Sequence, residues 1–418
     1  MSSLQRLAAV LLLQRRDRLR IALAFWASLA CLGLAVASYV ALLPGHMQDL
    51  EEVRSWFDYW QFGARDPYAS HVLGVDYPPH AFLLLWPLAI ADFSTTRISF
   101  AAVNIVITIL AAWMFVSWMR RQILDEDHTA ALALTALVLS GSSVRVAIWL
   151  GQTISLAVLF AAIAMRTASA RPWLGGLFLA FASFKPHVAI GFGLAWLLTR
   201  QFRALGYAAC WTFLLWIIFG WTLGEPPWRL VHNYLAELGT MYARPEHVVS
   251  ATSMREVFDL LLGVQLGVHG QVVYACSSLL AVIVLARRAP VDARSRALIL
   301  MACLAWSITV LPHQRHSLIL TGPICWLLLW TDADIGISRR VRLWIAGTVV
   351  AYGVIDGSLL IRLLGNALVQ HDAWRALGSD LVSASYYPPR VIALVLFSVV
   401  LVALANTVRT STQATRYV

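Results

Sequence analysis

Residues 171–201 read RPWLGGLFLAFASFKPHVAIGFGLAWLLTRQ. The stretch is almost wholly apolar, yet Lys185 stands in its middle, followed by Pro186 and His187. A charge at the centre of a membrane span is expensive and marks a functional position by default. From Arg171 to Lys185 is 14 residues, about 20 Å of helix. The leg from Lys185 to Arg200 is similar. Neither crosses a hydrocarbon core ~30 Å thick. Both flanks are basic and belong on the cytoplasmic side. Pro186 removes a backbone donor and disfavours helix at Lys185. The stretch therefore predicts a helix–break–helix hairpin whose tip carries Lys185 into a cavity. Such a lysine needs an anionic partner, either a ligand phosphate or a protein carboxylate.

The rest of the chain also treats the bilayer as its solvent. It has 418 residues, 60% hydrophobic and 13% charged, with a mean hydropathy of +0.71. A soluble domain is about half apolar and a quarter charged. The fold class is an all-α polytopic membrane protein forming one integral-membrane unit over residues 1–418, with about 11–13 transmembrane or re-entrant helices. Apolar segments lie near 20–43, 79–93, 97–117, 129–149, 153–166, 172–184, 187–198, 205–222, 271–286, 297–311, 316–330, 341–363 and 390–407. The 18 Trp suit interfacial anchors. Residues 1–19 form an amphipathic basic segment on the cytoplasmic surface. The net charge of +10 fits basic loops facing an anionic leaflet rather than nucleic acid. The five Cys read as small core residues, with no CxxC and no metal-ligand spacing.

Basic clusters at 14–20, 120–122, 166–171, 200–203, 287–296 and 339–342 face the cytoplasm on this reading. Opposite them lie a long first outer loop at 44–78, further outer loops at 223–270 and 364–389, and shorter turns at 142–152, 185–187 and 312–316. The alternation fails at one place. If 79–93 and 97–117 both crossed, Arg120 and Arg121 would be outside.

The outer regions hold the unusual chemistry. The first loop carries Asp49, Glu51, Glu52, Asp58, Asp66 and Asp76 among aromatics. Rings stack on the C–H faces of a sugar while carboxylates bind its hydroxyls, so Trp56, Asp58, Tyr59, Trp60, Asp76 and Tyr77 are candidate sugar or lipid contacts. YPPHAF at 77–82 suits a groove for a lipid chain. Arg145 and Gln152 fall near the outer end of a helical hairpin, and a buried amide needs partners. His313, Arg315 and His316 form a cationic turn suited to a phosphate. With Lys185, Arg145, Gln152 and His187 they make the candidate phosphate site. DED at 125–127 and DAD at 332–334 sit in short basic-flanked loops and read as helix caps. P-loop, GxGxxG, HExxH and GxSxG patterns do not occur.

The order of these elements is specific. An acid follows the first span, then come GARDPYA, YPPHAFLLLWPLA, GQTISLAVLFAAIA, FKPH and a His-containing outer turn. To about residue 330 the chain resembles the bacterial polyprenol-phosphate-mannose-dependent mannosyltransferases of glycosyltransferase family 87, which have the GT-C fold. The resemblance implies a polyprenyl-phosphate-linked sugar donor, mannose-like, and a lipid-linked or cell-envelope glycan acceptor. It implies inverting transfer at the outer face of the cytoplasmic (inner) membrane, with neither cofactor nor metal. It also implies a catalytic aspartate 15–18 residues before the Pro of GARDPYA. That selects Asp49, eighteen before Pro67, with Asp58 as the alternative. The segment LEEVRSW after Asp49 and the turn PHQRH depart from the family pattern. A transporter or flippase of lipid-linked sugars would also use broken helices and buried cations, and a non-catalytic membrane scaffold is the third reading.

Overall fold

In the computed structural model residues 15–43, 45–63, 66–69, 75–123, 128–243, 268–311, 337–353, 357–370, 374–384 and 388–416 are described. They are α-helical, with short 3₁₀ pieces and no strand. Hydrocarbon demands this, because a helix satisfies its own backbone groups where no water can. Among the described residues six helices are long and apolar enough to cross a membrane, or seven if one bent pair counts as a span.

The first span lies in α1 (Arg15–Leu42), so the basic 15–19 stretch is the first turn of a helix; residues 1–14 lie outside the described residues. The first outer loop is largely a helix, α2 (Gln48–Gly63), whose Asp49 and Glu51 sit in the first turn, where acids complement the helix dipole. A 3₁₀ turn (Pro67–Ala69) and the short α3 (His80–Leu85) follow. The apolar piece His80–Ala89 is far too short to cross. The next helix, α4 (Phe93–Ile123), is long enough. By length only one of these two segments is a span, so the alternation of basic ends is restored at Arg120 and Arg121.

Helices α5 (His128–Leu139) and α6 (Ser142–Trp149) form the bent pair, at 52°. Then come three short apolar helices, α7 (Ile154–Thr167), α8 (Pro172–Ala182) and α9 (Pro186–Leu198). The break between α8 and α9 falls at Ser183–Lys185, and Lys185 is the residue before α9, in extended conformation. The predicted break is present. The helices on either side, of 11 and 13 residues, measure about 16 and 20 Å, and Lys185 between them is buried inside the protein. Small residues seat these legs: a Cβ on Gly176 would lie 2.5 Å from the Tyr207 Cβ of the next helix.

That next helix is α10 (Phe202–Leu223), followed by the amphipathic α11 (Pro227–Ala243) within the predicted loop 223–270, of which residues 244–267 are outside the described ones. Helices α12 (Val268–Arg288) and α13 (Ala293–Val310) complete this part. Residues 297–309 of α13 are all buried, and the helix packs on α9, α4 and α12. Within the predicted span 341–363 lie parts of α14 (Arg339–Gly353) and α15 (Gly357–Val369); residues 354–356 lie outside the described residues. The loop 364–389 is in large part helical, with α15 packed on α16 (Arg375–Ala384). The last span lies in α17 (Pro388–Arg416), which packs on α13.

The cysteines differ from expectation. Cys303 is buried, but Cys31, Cys210 and Cys276 are exposed on apolar helices. In a lipid-facing position a small apolar side chain needs no protein around it. Cys325, the segment 316–330, and the DED and DAD stretches lie outside the described residues.

Candidate active site

The site forms where α2 lies across the α6–α7 turn. The backbone N–H of Met47 donates to the Trp149 carbonyl at 2.9 Å, and that of Asp49 to the Leu150 carbonyl at 3.1 Å. This close seating needs Gly151. Its φ is +72°, and a Cβ there would lie 2.7 Å from the Leu50 Cβ. No other residue type tolerates both conditions. Met47 itself has φ of 60°, a left-handed conformation at the mouth of α2.

Seated this way, Asp49 meets Gln152. The Gln152 amide Nε2 donates to the Asp49 carboxylate, and its Oε1 accepts from Lys185 Nζ at 3.3 Å. The two neighbours fix the amide's orientation, because a carboxylate offers no donor and an ammonium no acceptor. Gln152 is buried, and its own carbonyl accepts from Asn104 Nδ2 of α4 at 3.1 Å. One turn along, Thr108 donates to Ser155 at 2.7 Å, so a polar stripe of α4 holds the start of α7.

Lys185 is buried, and its Nζ lies 4.0 Å from the centroid of the Tyr77 ring. It is the chain's one lysine; the other 31 of its 32 Lys and Arg residues are arginines. Its ammonium sits between an aromatic face and an amide oxygen, each of which favours positive charge. The Tyr77 ring is held in turn by its hydroxyl, 2.8 Å from Thr153 Oγ1, and by edge contact with Trp56 at 5.3 Å.

Three carboxylates share this charge. Asp49, Asp76 and Glu52 each interact electrostatically with Lys185. Burial raises the Asp49 carboxyl above its ordinary range, against the opposing hydrogen bond from Gln152. Glu52 keeps exposed surface, yet its carboxyl is pushed up to about 7, by desolvation first and then by repulsion from Asp76 and Asp49. Glu52 was absent from the sequence-derived site. Its signal was available, since it stands three residues after Asp49 and so shares that face of the helix.

The segment that presents Asp76 and Tyr77 is tied from outside. Tyr68 donates to the Tyr77 carbonyl at 2.7 Å, and Tyr234 of α11 to the Asp76 carbonyl at 3.4 Å. Asp66 accepts from the Tyr68 N–H at 3.0 Å and from Asn233 of α11 at 2.6 Å. The GARDPYA motif is thus a clamp between α11 and the site.

The other predicted residues are placed differently. His187 is buried in the first turn of α9. Arg145 donates to the Ser140 carbonyl at 2.7 Å, and its stem lies against Gly33 of α1, so it braces the α5–α6 turn. Asp58 is exposed and about 13 Å further along α2 than Asp49; Tyr59 is half-buried. Trp60 packs on Phe57, Phe82 and Phe219 in an aromatic core under α2, and Trp56 is buried against Tyr77. Trp60 is half-buried, and residues 77–82 of YPPHAF are all buried. His313, Arg315 and His316 lie outside the described residues.

Carboxylates at the open side and a cation below them can accept a proton and stabilise a leaving anion. Among curated proteins none matches the chain. A model of glycosyltransferase family 87 matches residues 76–312, which include Asp76, Tyr77, Gln152 and Lys185. Since the match covers more than half of a chain with at least six span-length helices, the chain belongs to glycosyltransferase family 87 and is a multi-pass membrane glycosyltransferase.

Proposed function

We propose that the enzyme transfers a mannose-like sugar from a polyprenyl-phosphate donor to a lipid-linked or envelope glycan acceptor, at the outer face of the cytoplasmic membrane. The Asp49–Gln152–Lys185 line carries this reading. It stands where α2 and the α6–α7 turn meet, at the end opposite Arg120, Arg121 and Arg171 by the basic-end alternation. Asp49 takes the proton of the acceptor hydroxyl as its oxygen attacks the anomeric carbon. The bond from that carbon to the phosphate oxygen breaks, and its electron pair leaves with the polyprenyl phosphate. Attack opposite the leaving group inverts the anomeric centre. Lys185 supplies positive charge where the phosphate gains negative charge. His187, and on sequence grounds Arg315 and His316, are further partners for that anion. Glu52 and Asp76 orient sugar hydroxyls.

The test uses detergent-solubilised enzyme, radiolabelled polyprenyl-phosphate mannose and a lipid extract as acceptor. Transfer is expected without any membrane gradient, which a flippase would not give. Asp49→Asn should lower turnover by about 10²–10⁴-fold and Lys185→Ala by about 10²–10³-fold. Normal transfer by both variants would sink the assignment. Transfer from a nucleotide sugar but not from the lipid phosphate would sink the donor.

A further inference from the structure

His80 is buried and is not part of the Asp49–Gln152–Lys185 line. Its ring is nonetheless bonded at both nitrogens. Trp216 Nε1 of α10 lies 2.7 Å from His80 Nδ1, and Ser183 Oγ lies 2.9 Å from His80 Nε2. An indole N–H only donates, so Nδ1 is the acceptor and the ring proton sits on Nε2. Nε2 then donates to Ser183 Oγ, whose own hydrogen goes to the Ala180 carbonyl at 2.7 Å. The chain Trp216→His80→Ser183→Ala180 has one consistent direction, and it requires a neutral imidazole. A second ring proton would face the indole N–H.

The two ends of this chain matter for the site. His80 follows Tyr77 by a rigid Pro78–Pro79 spacer. Ser183 precedes Lys185 by two residues, inside the break between α8 and α9. The histidine therefore ties the segment carrying the aromatic face to the turn carrying the ammonium. The Tyr77 ring on Phe184, with centroids 6.1 Å apart, is the second tie, and the Tyr77 hydroxyl on Thr153 fixes the same ring to the α6–α7 turn. Tyr77 and Lys185 are 108 positions apart in sequence, and the break in the hairpin leaves the Lys185 turn without continuous helix to hold it.

We propose that His80 is a positioning residue: in its neutral Nε2–H form it sets Lys185 over Tyr77 and thereby places the cation for the leaving phosphate. The placement follows from the bonds above; its catalytic consequence rests on the function proposed for Lys185.

Because Lys185 is the only lysine, ¹³Cε-lysine incorporated during expression gives a single side-chain signal, read by NMR in detergent. An ammonium over a ring face carries an upfield ring-current shift, and Tyr77→Leu calibrates its loss. In Ser183→Ala, which removes one hydroxyl from a turn, and in His80→Ala, the shift should fall toward the calibrated value. His80→Gln, which can both accept and donate, should restore part of it. Transfer should drop tenfold or more in His80→Ala, and no further when His80→Ala is added to Lys185→Ala. An unmoved lysine signal in folded Ser183→Ala and His80→Ala overturns the positioning role without any activity measurement. Full additivity with Lys185→Ala overturns its action through Lys185. If Lys185→Ala itself transfers normally, the proposed function fails while the NMR result still decides the positioning.

Discussion

Gly151→Ala tests the seating of α2 most sharply. The new Cβ meets two penalties. At φ of +72° an L side chain costs about 1–2 kcal/mol. The Cβ also stands 2.7 Å from the Leu50 Cβ and 3.3 Å from the Met47 Cβ, an overpacking that costs about 1–3 kcal/mol if nothing moves. The relief available is for the first turn of α2 to lift by about 1 Å, which restores a normal carbon–carbon contact. That motion pulls on the backbone bonds from Met47 and Asp49 to Trp149 and Leu150, and it withdraws Asp49 from Gln152. A 1 Å misplacement of a reacting group costs about 10²-fold in rate. Gly151→Ala should therefore fold with a lowered melting temperature in detergent and transfer sugar about a hundredfold more slowly, with the larger loss in kcat. Paired thermal-shift and transfer assays measure both. A stable variant with wild-type kcat would refute the claim that Gly151 sets the base.

Three further outcomes follow. Glu52 has a folded-state pKa of about 7 against an ordinary 4.5, so the folded state binds more protons, and this stability, present below about 4.5, is lost as pH rises through about 7. Glu52→Gln should accordingly melt higher than wild type at pH 8 and alike at pH 4, a difference that calorimetry or dye-binding melts can follow; a pH-independent difference contradicts it. Tyr77→Phe keeps the ring and loses the bond to Thr153, for a stability loss of about 1 kcal/mol, whereas Tyr77→Leu also removes the cation–π contact, worth about 2 kcal/mol when desolvated; equal loss of transfer in both would deny the ring its role. Arg145→Ala should lower the melting temperature while sparing the rate per folded enzyme, and the opposite pattern would return Arg145 to the anion site.

The break at Lys185 was legible because Pro186 disfavours helix at the residue before it and the apolar leg on either side is too short to cross a membrane alone. Gln152 was legible as a polar residue between apolar segments, and Asp49 through its spacing before GARDPYA in the family that the chain resembles. Their bond was not, because it depends on Gly151 admitting the first turn of α2, and a glycine in a turn carries no mark of what approaches it. The segments at 44–78 and 364–389 read as loops because polar and apolar residues alternate there without a long apolar run. Amphipathic helices such as α2 and α16 have that composition. The packing of Trp60 was not legible for a related reason: an aromatic-rich segment describes a sugar platform and a packed core equally well, and the contact with Phe219, some 160 residues away, is not visible in the sequence. The uniqueness of Lys185 among the basic residues was visible in the sequence and is its plainest marker.

The amide of Gln152 has one more consequence. It joins an acid to an ammonium electrically, but it is an insulator for protons, since its nitrogen does not give one up nor its oxygen keep one at ordinary pH. Were Asp49 and Lys185 in direct contact in so buried a place, the proton could move across and leave two neutral groups. The interposed amide keeps the Lys185 proton from crossing to Asp49. In the function proposed above, a proton that Asp49 gains from the acceptor leaves toward Glu52, on the exposed face of α2, and the release of acid and the departure of the leaving phosphate proceed by separate doors.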